Sequence, residues 1–264
     1  MKLEKIYNEI GVKNGHHILV HSSYRKIRDA FNIPITDFIT SLKNVVSVKG
    51  SLIMPAFTYN FALALGTEEI FNRDKSPAKT GAVSECFRLM PDVVRTSSPT
   101  HSFSLWGEVT DFIGEDNSPI SPLGKGSVLD WLANTSGTYI MLVGVDFHSL
   151  TFGHYLETAA PVPWADISPW DYMFVKKAGV STNGIQRLRE IPGCSKSFVN
   201  FENYLVTNRL IDAYVFNNCT IYYVSVSLLL EKGLQYFRDN YSELLCKDEN
   251  CRPCCERRNK LNLY

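Results

Sequence analysis

The sequence predicts an α/β fold: a single three-layer domain over residues 1–264, with a mixed central sheet covered by helices on both faces. Three observations support this. Apolar, strand-like runs alternate with amphipathic, helix-like segments. The runs are apolar throughout, as strands buried on both faces are. Several of them close on small hydroxyl residues, which places candidate ligand loops at the ends of sheet strands.

A helix over 2–10 comes first, followed by the apolar strand Gly15-His-His-Ile-Leu-Val-His-Ser-Ser and a polar loop. Thr36 is a candidate N-cap for a helix running to about Val46, after which Gly50-Ser-Leu-Ile-Met-Pro-Ala-Phe-Thr is a second strand. Phe57 to Lys79 lacks a sustained period and carries a turn at Asn72-Arg-Asp-Lys-Ser-Pro, and Gly81 to Met90 is helical. Residues 93–107 are extended, 128–133 form a short helix, and Thr138 to Val145 is a buried strand leading into a helix that begins near Ser149. Prolines at 161, 163, 169 and 192 break the next stretch; 171–224 is read as short strands with a helix near Phe198–Thr207. Cys219–Val224 is β-rich, Val226–Leu245 is an amphipathic helix, and 245–264 is a polar, cysteine-rich tail.

Composition narrows the function classes. With 264 residues and 45% hydrophobic content the chain can bury one large core. Lys+Arg and Asp+Glu are 27 each, so no net field draws the chain to nucleic acid or to an anionic membrane, and the expected partners are small molecules. No apolar run reaches the roughly 18 residues of a membrane span, and the first residues read as a helix start rather than a signal peptide; a cytoplasmic enzyme is expected. Seven cysteines do not form a disulfide framework in a chain of this size, and Cys86, Cys194 and Cys219 read as ordinary packed thiols.

The sharpest chemical feature is Thr151-Phe-Gly-His154-Tyr-Leu-Glu157, directly after the strand that ends at Val145. Residues three apart on a helix are neighbours, so Thr151, His154 and Glu157 form one polar stripe with the histidine at its centre. A helix N-terminus disfavours imidazolium while a carboxylate one turn on opposes that and orients the ring, which describes a base poised near neutrality. On spacing alone, a solvated helix face is the simpler reading. Arg95-Thr-Ser-Ser-Pro-Thr-His101-Ser102 is rich in donors that suit an anion, yet it also reads as an ordinary loop. His21-Ser22-Ser23 offers hydroxyls and backbone amides but lacks the glycines of a P-loop or a dinucleotide fingerprint.

Taken together these segments resemble the aminoglycoside 3-N-acetyltransferase family, of the antibiotic N-acetyltransferase superfamily. The matching stretches are His21-Ser-Ser, Gly50 to Thr58, Phe71 to Pro77 with Gly81, Arg95 to Ser102 with Gly107, Ser121-Pro-Leu-Gly124, and Gly144-Val followed by Thr151-x-x-His154-x-x-Glu157. They span about residues 12–165. The resemblance implies an acetyl-CoA-dependent N-acetyltransferase with a small-molecule amine acceptor, in which His154 is the base, Glu157 supports it and Thr151 lies near the acyl group. It assigns His21, Ser22, Ser23, Thr58, Arg95, His101 and Ser102 to holding CoA, and it requires no metal.

Two departures concern the acceptor. Tyr24-Arg-Lys-Ile-Arg replaces the glycines expected after His21-Ser-Ser, and acidic residues are not concentrated in the site segments, as a polycationic aminoglycoside would favour. A nucleotide-linked or glycan-precursor amino sugar is an equal candidate, and a CoA-binding protein of the same fold without catalysis is the competing reading. In the tail, Cys246, Cys251, Cys254 and Cys255 include a C-x-x-C pair, but their bunched spacing favours free thiols over a zinc site.

Overall fold

The computed structural model describes residues 3–66, 68–164, 175–190 and 192–262. Pro169, read as a chain breaker, and the first residues of the 171–224 stretch lie outside these. A seven-stranded mixed sheet runs β4-β5-β2-β1-β6-β10-β9. Its strands are β1 (His17–Ser22), β2 (Ser51–Pro55), β4 (Val94–Arg95), β5 (Phe103–Gly107), β6 (Thr138–Val143), β9 (Tyr214–Phe216) and β10 (Cys219–Ser225). The central three are parallel: β1 pairs with β2 and with β6, while β5 and β10 flank them antiparallel. A second sheet, not expected from the sequence, joins β3 (Phe61–Leu63), β7 (Val175–Ser181) and β8 (Gly184–Arg187).

Alternation along each central strand builds two cores. Leu19, Ile53, Ile140, Leu142 and Val224 point to one face and Ile18, Val20, Leu52, Met141 and Ile221 to the other. The second face is covered by α1 (Leu3–Glu9), α2 (Tyr24–Phe31), α3 (Ile35–Val46) and α4 (Ala82–Arg88). Against the first face pack α5 (Val128–Asn134), α6 (Thr151–Ala159), α7 (Phe198–Thr207) and α8 (Val226–Asp239). The three layers and mixed sheet are those the sequence predicts.

Several local expectations are corrected. The stretch read as a polar loop after Ser23 is the helix α2: Ile27 and Ala30, three apart, are its buried stripe, and Asn32 closes it in the left-handed region at φ 52°. Two apolar positions among Arg and Lys gave too weak a period to read. Helix α3 starts at Ile35 behind Pro34, so Thr36 lies inside it. Helix α8 ends at Asp239 and a 3-10 turn over Tyr241–Leu244 follows. The C-terminal stretch is no loose tail: Arg252–Leu261 forms α9, with Cys254 and Arg257 buried.

Candidate active site

Because β1, β2 and β6 are parallel, their C-terminal ends open on one edge of the sheet, where α/β folds gather ligands. A cleft of about 460 Å³ lies there. His21 and Ser22 line it from the end of β1, Pro55 and Phe57 from the end of β2 and the loop after it, and Ser149, Thr151 and His154 from the turn and helix after β6. The local sequence dictates the last placement. Asp146 accepts from the backbone N–H of His148 and caps a 3-10 turn over Phe147–Ser149, and α6 begins at Thr151 immediately after. Thr151 thus stands in the first turn, where helix N–H groups lack intrahelical partners, and His154 follows one turn deeper.

The Nδ1 atom of His154 lies 2.7 Å from Glu157 Oε2. Glu157 is buried, and burial alone would raise its carboxyl; the hydrogen bond from His154 and the charges of His154 and Arg257 outweigh it and hold the group below its usual range. An ionised carboxylate only accepts, so Nδ1 carries a proton, and Nε2 is the nitrogen that bears the lone pair when the ring is neutral. Arg257 Nη1, on α9, stands 3.5 Å from the other Glu157 oxygen, and its guanidinium lies over the Trp164 ring. Phe198 packs on the imidazole with ring centroids 5.1 Å apart.

Of the other residues the sequence singled out, His21, Ser22 and His101 reach the cleft. His21 has a buried Nε2 without a hydrogen-bond partner among the described residues, and burial pushes its pKa down to about 3. His101 sits among Phe57, Tyr59 and Phe61, with Nδ1 3.0 Å from Thr100 Oγ1. Its pKa falls to about 3, first through burial and then through the neighbouring His154.

Ser23, Thr58, Arg95 and Ser102 do not line the cleft. Thr58 Oγ1 donates to Pro99 O at 2.7 Å, and Ser102 Oγ to Ala56 O at 2.7 Å. Arg95, buried, donates to Ser102 Oγ and to the carbonyls of Arg73, Ser76 and Ala56, and so pins the 72–77 turn to the exit of β2. Ser23 precedes α2 without capping it. Cys86 packs against the second core, where burial raises its thiol, and takes no part in the cleft.

Sequence reasoning missed the rest of the wall. His148, Leu123, Pro192, Gly193 and Ser195 line the cleft, and Arg257 reaches Glu157 across a separation of 100 residues. A signal for His148 lay in the Gly144-Val-Asp-Phe-His-Ser segment itself. Nothing local marks Arg257.

Gly153, beside His154, is a close-approach glycine: a Cβ there would lie 2.4 Å from Phe198 Cε2. In an open helix Gly→Ala gains about 1 kcal/mol, but overpacking a buried ring costs about 1–3 kcal/mol, so the clash decides the sign. Gly153→Ala is expected to lower Tm and disturb the ring that holds His154. A melting curve matching the native protein would show that Phe198 yields freely.

A family model described as aminoglycoside 3-N-acetyltransferase matches residues 19–238. An SPbeta prophage-derived aminoglycoside N(3')-acetyltransferase-like protein of Bacillus subtilis is 28% identical over 58% of this chain and 62% of its own length. Aminoglycoside N(3)-acetyltransferase IV of Salmonella is 29% identical over 59% of this chain and 57% of its own. The chain therefore spans about three-fifths of the length of these relatives. Among solved structures, the apoenzyme of the aminoglycoside acetyltransferase AAC(3)-IVa superposes with a TM-score of 0.79 at 21% identity, covering 97% of this chain and 95% of that one. AAC-IIIb, solved as a binary complex with CoASH, gives 0.72 at 16% identity over 90% and 95%. These two share the fold.

Proposed function

This chain belongs to the aminoglycoside 3-N-acetyltransferase family, and from that premise we propose that it transfers the acetyl group of acetyl-CoA directly to an amine of an aminoglycoside or amino sugar, with His154 as general base. The observation that carries this reading is the 2.7 Å bond between His154 Nδ1 and Glu157, which occupies Nδ1 and makes Nε2 the ring nitrogen available to take a proton, on a residue that lines the cleft. Nitrogen attacks the thioester carbonyl, Nε2 takes the proton the amine sheds, and the tetrahedral intermediate collapses by breaking the C–S bond to release CoA thiolate. Thr151, in the first turn of α6, donates to the developing oxyanion, helped by the positive end of the helix. No enzyme nucleophile is required.

The cleft suits the acyl arm of CoA. Ser22, Thr80, Ser84 and Ser149 supply hydroxyls for its amides, Phe57 and Leu123 an apolar wall, and His21 Nε2 a buried nitrogen that lacks a partner among the described residues. No lysine or arginine is among the described residues that line it, so the phosphates lie outside this cleft, at its mouth, and Arg95 serves by holding the 72–77 turn. Among the described residues no carboxylate lines it either, which favours an acceptor carrying few positive charges over a densely cationic one.

A thiol-release assay with acetyl-CoA across aminoglycosides, free amino sugars and nucleotide-linked amino sugars tests the proposal. Acceptor-dependent release is expected. Acetyl-CoA should also raise the unfolding free energy by about 2.7 kcal/mol at a hundred times its Kd. Thermal protection without release on any acceptor would reduce the protein to a CoA binder, and the absence of both would remove CoA altogether.

A further inference from the structure

The fold brings Cys194 to three thiols that lie close together in the C-terminal stretch. Cys194 follows the cleft-lining Gly193, Cys246 ends the segment after α8, and Cys251 and Cys254 sit at and inside the start of α9. Their four sulfurs all lie within 4.8 Å of one another, and Cys194 Sγ is 3.8 Å from Cys246 Sγ. A tetrahedral zinc with bonds of ~2.3 Å places its sulfurs ~3.8 Å apart. Cys246 and Cys254 are buried and the other two half-buried, so the centre of the cluster is largely screened from water.

We propose that Cys194, Cys246, Cys251 and Cys254 bind a structural zinc ion as four thiolates. Binding releases four thiol protons and leaves a tetrathiolate centre of net charge −2, and the surroundings answer that charge. The backbone N–H of Lys196 donates to Cys194 Sγ at 3.3 Å, and Arg258 reaches both the Cys246 carbonyl and, at 3.3 Å, Cys255 Sγ. Cys255 itself is turned away, its thiol directed at the carbonyls of Asp248 and Glu249. The fourth ligand is therefore Cys194, 52 residues upstream, and the expectation of free thiols in the C-terminal stretch gives way to a closed site.

The ion ties together two parts of the active-site wall. One side of the cluster continues into Gly193 and Ser195, which line the cleft; the other is the first turn of α9, the helix whose second turn carries Arg257 to Glu157. A Cβ on Gly193 would lie 2.5 Å from Arg257 Nη1, so loop and guanidinium are already in contact. Zinc would hold this contact in register.

The test uses the full chain purified under reducing conditions without chelator. Elemental analysis should find about one zinc per chain, and exchange with cobalt(II) should give the thiolate-to-metal charge-transfer bands of a tetrathiolate site. Cys194→Ser and Cys254→Ser should lose the metal, Cys255→Ser should retain it, and a strong chelator should lower Tm by roughly 5 °C or more. Should a serine variant fail to fold, the cobalt spectrum of the native chain decides alone. A native protein that holds iron or no metal and gives no cobalt–thiolate spectrum overturns the proposal. So does a mass showing these cysteines joined in disulfides, or loss of metal from Cys255→Ser.

Discussion

Replacing His154 with alanine is expected to lower turnover roughly a hundredfold or more while leaving acetyl-CoA binding nearly unchanged, the range found when a general base is removed. The separation follows from position. Nδ1 of the ring is engaged with Glu157, so the cleft meets mainly Nε2, and that atom's proposed partner is the amine rather than the donor. Glu157→Gln should cost less than His154→Ala, since an amide oxygen can still accept from Nδ1, but more than a surface change, because it strands Arg257 beside an uncharged group. Thr151→Val should slow turnover without lowering Tm if its hydroxyl serves the oxyanion. Steady-state rates, with donor affinity measured by calorimetry, check the series. His154→Ala with native turnover on the best acceptor would sink the base assignment.

Stability should fall steeply as the solution is acidified below about pH 6.5. His21 and His101 are both buried in neutral form, their pKa values pushed down to about 3, whereas in the unfolded chain each titrates near 6.5. Between those values the unfolded state binds more protons than the native one, so ΔG of unfolding rises with pH. The contribution is complete above about 6.5 and is lost progressively down to about 3. Each histidine changes stability by up to ~1.4 kcal/mol per pH unit in that window, so the pair accounts for ~2–3 kcal/mol per unit. His16 and His17 are shifted the same way by burial, and Glu157, held below its usual range, adds a further loss below about pH 4. Against a typical margin of about 5–15 kcal/mol, unfolding near pH 4 is expected. Urea midpoints measured from pH 7.5 to 4.5 give the slope, and His101→Gln should flatten it. A midpoint independent of pH over that range would show that these rings gain protons while folded.

The sequence made the centre of this molecule legible and its rim much less so. Buried parallel strands are continuous apolar runs, so β1, β2 and β6 could be read directly, and with them the edge on which His21 and His154 stand. Thr151, His154 and Glu157 lie on one short helix, and local periodicity brings them together without tertiary information. Arg95 and Ser102 were visible as donors, but only the fold shows that backbone carbonyls take them. For Arg257 and Cys194 the decisive contacts cross 100 and 52 residues, and no spacing rule reaches that far.

That β10 closes against β6 has a bearing on how the chain comes into being. The pairing Ile221↔Val143 to Ser225↔Tyr139 covers one side of the sheet's apolar centre with residues synthesised some eighty positions later. Until they emerge, a growing polypeptide exposes β6 as an open hydrophobic edge, the template on which nascent chains mispair. His154 and Glu157 have been made by then, but the guanidinium at 257 has not, so the contact of Arg257 with Glu157 can form only after β10 has emerged. Sheet closure across so long a separation is intrinsically slow, which lengthens the time for which the β6 edge stands open during folding.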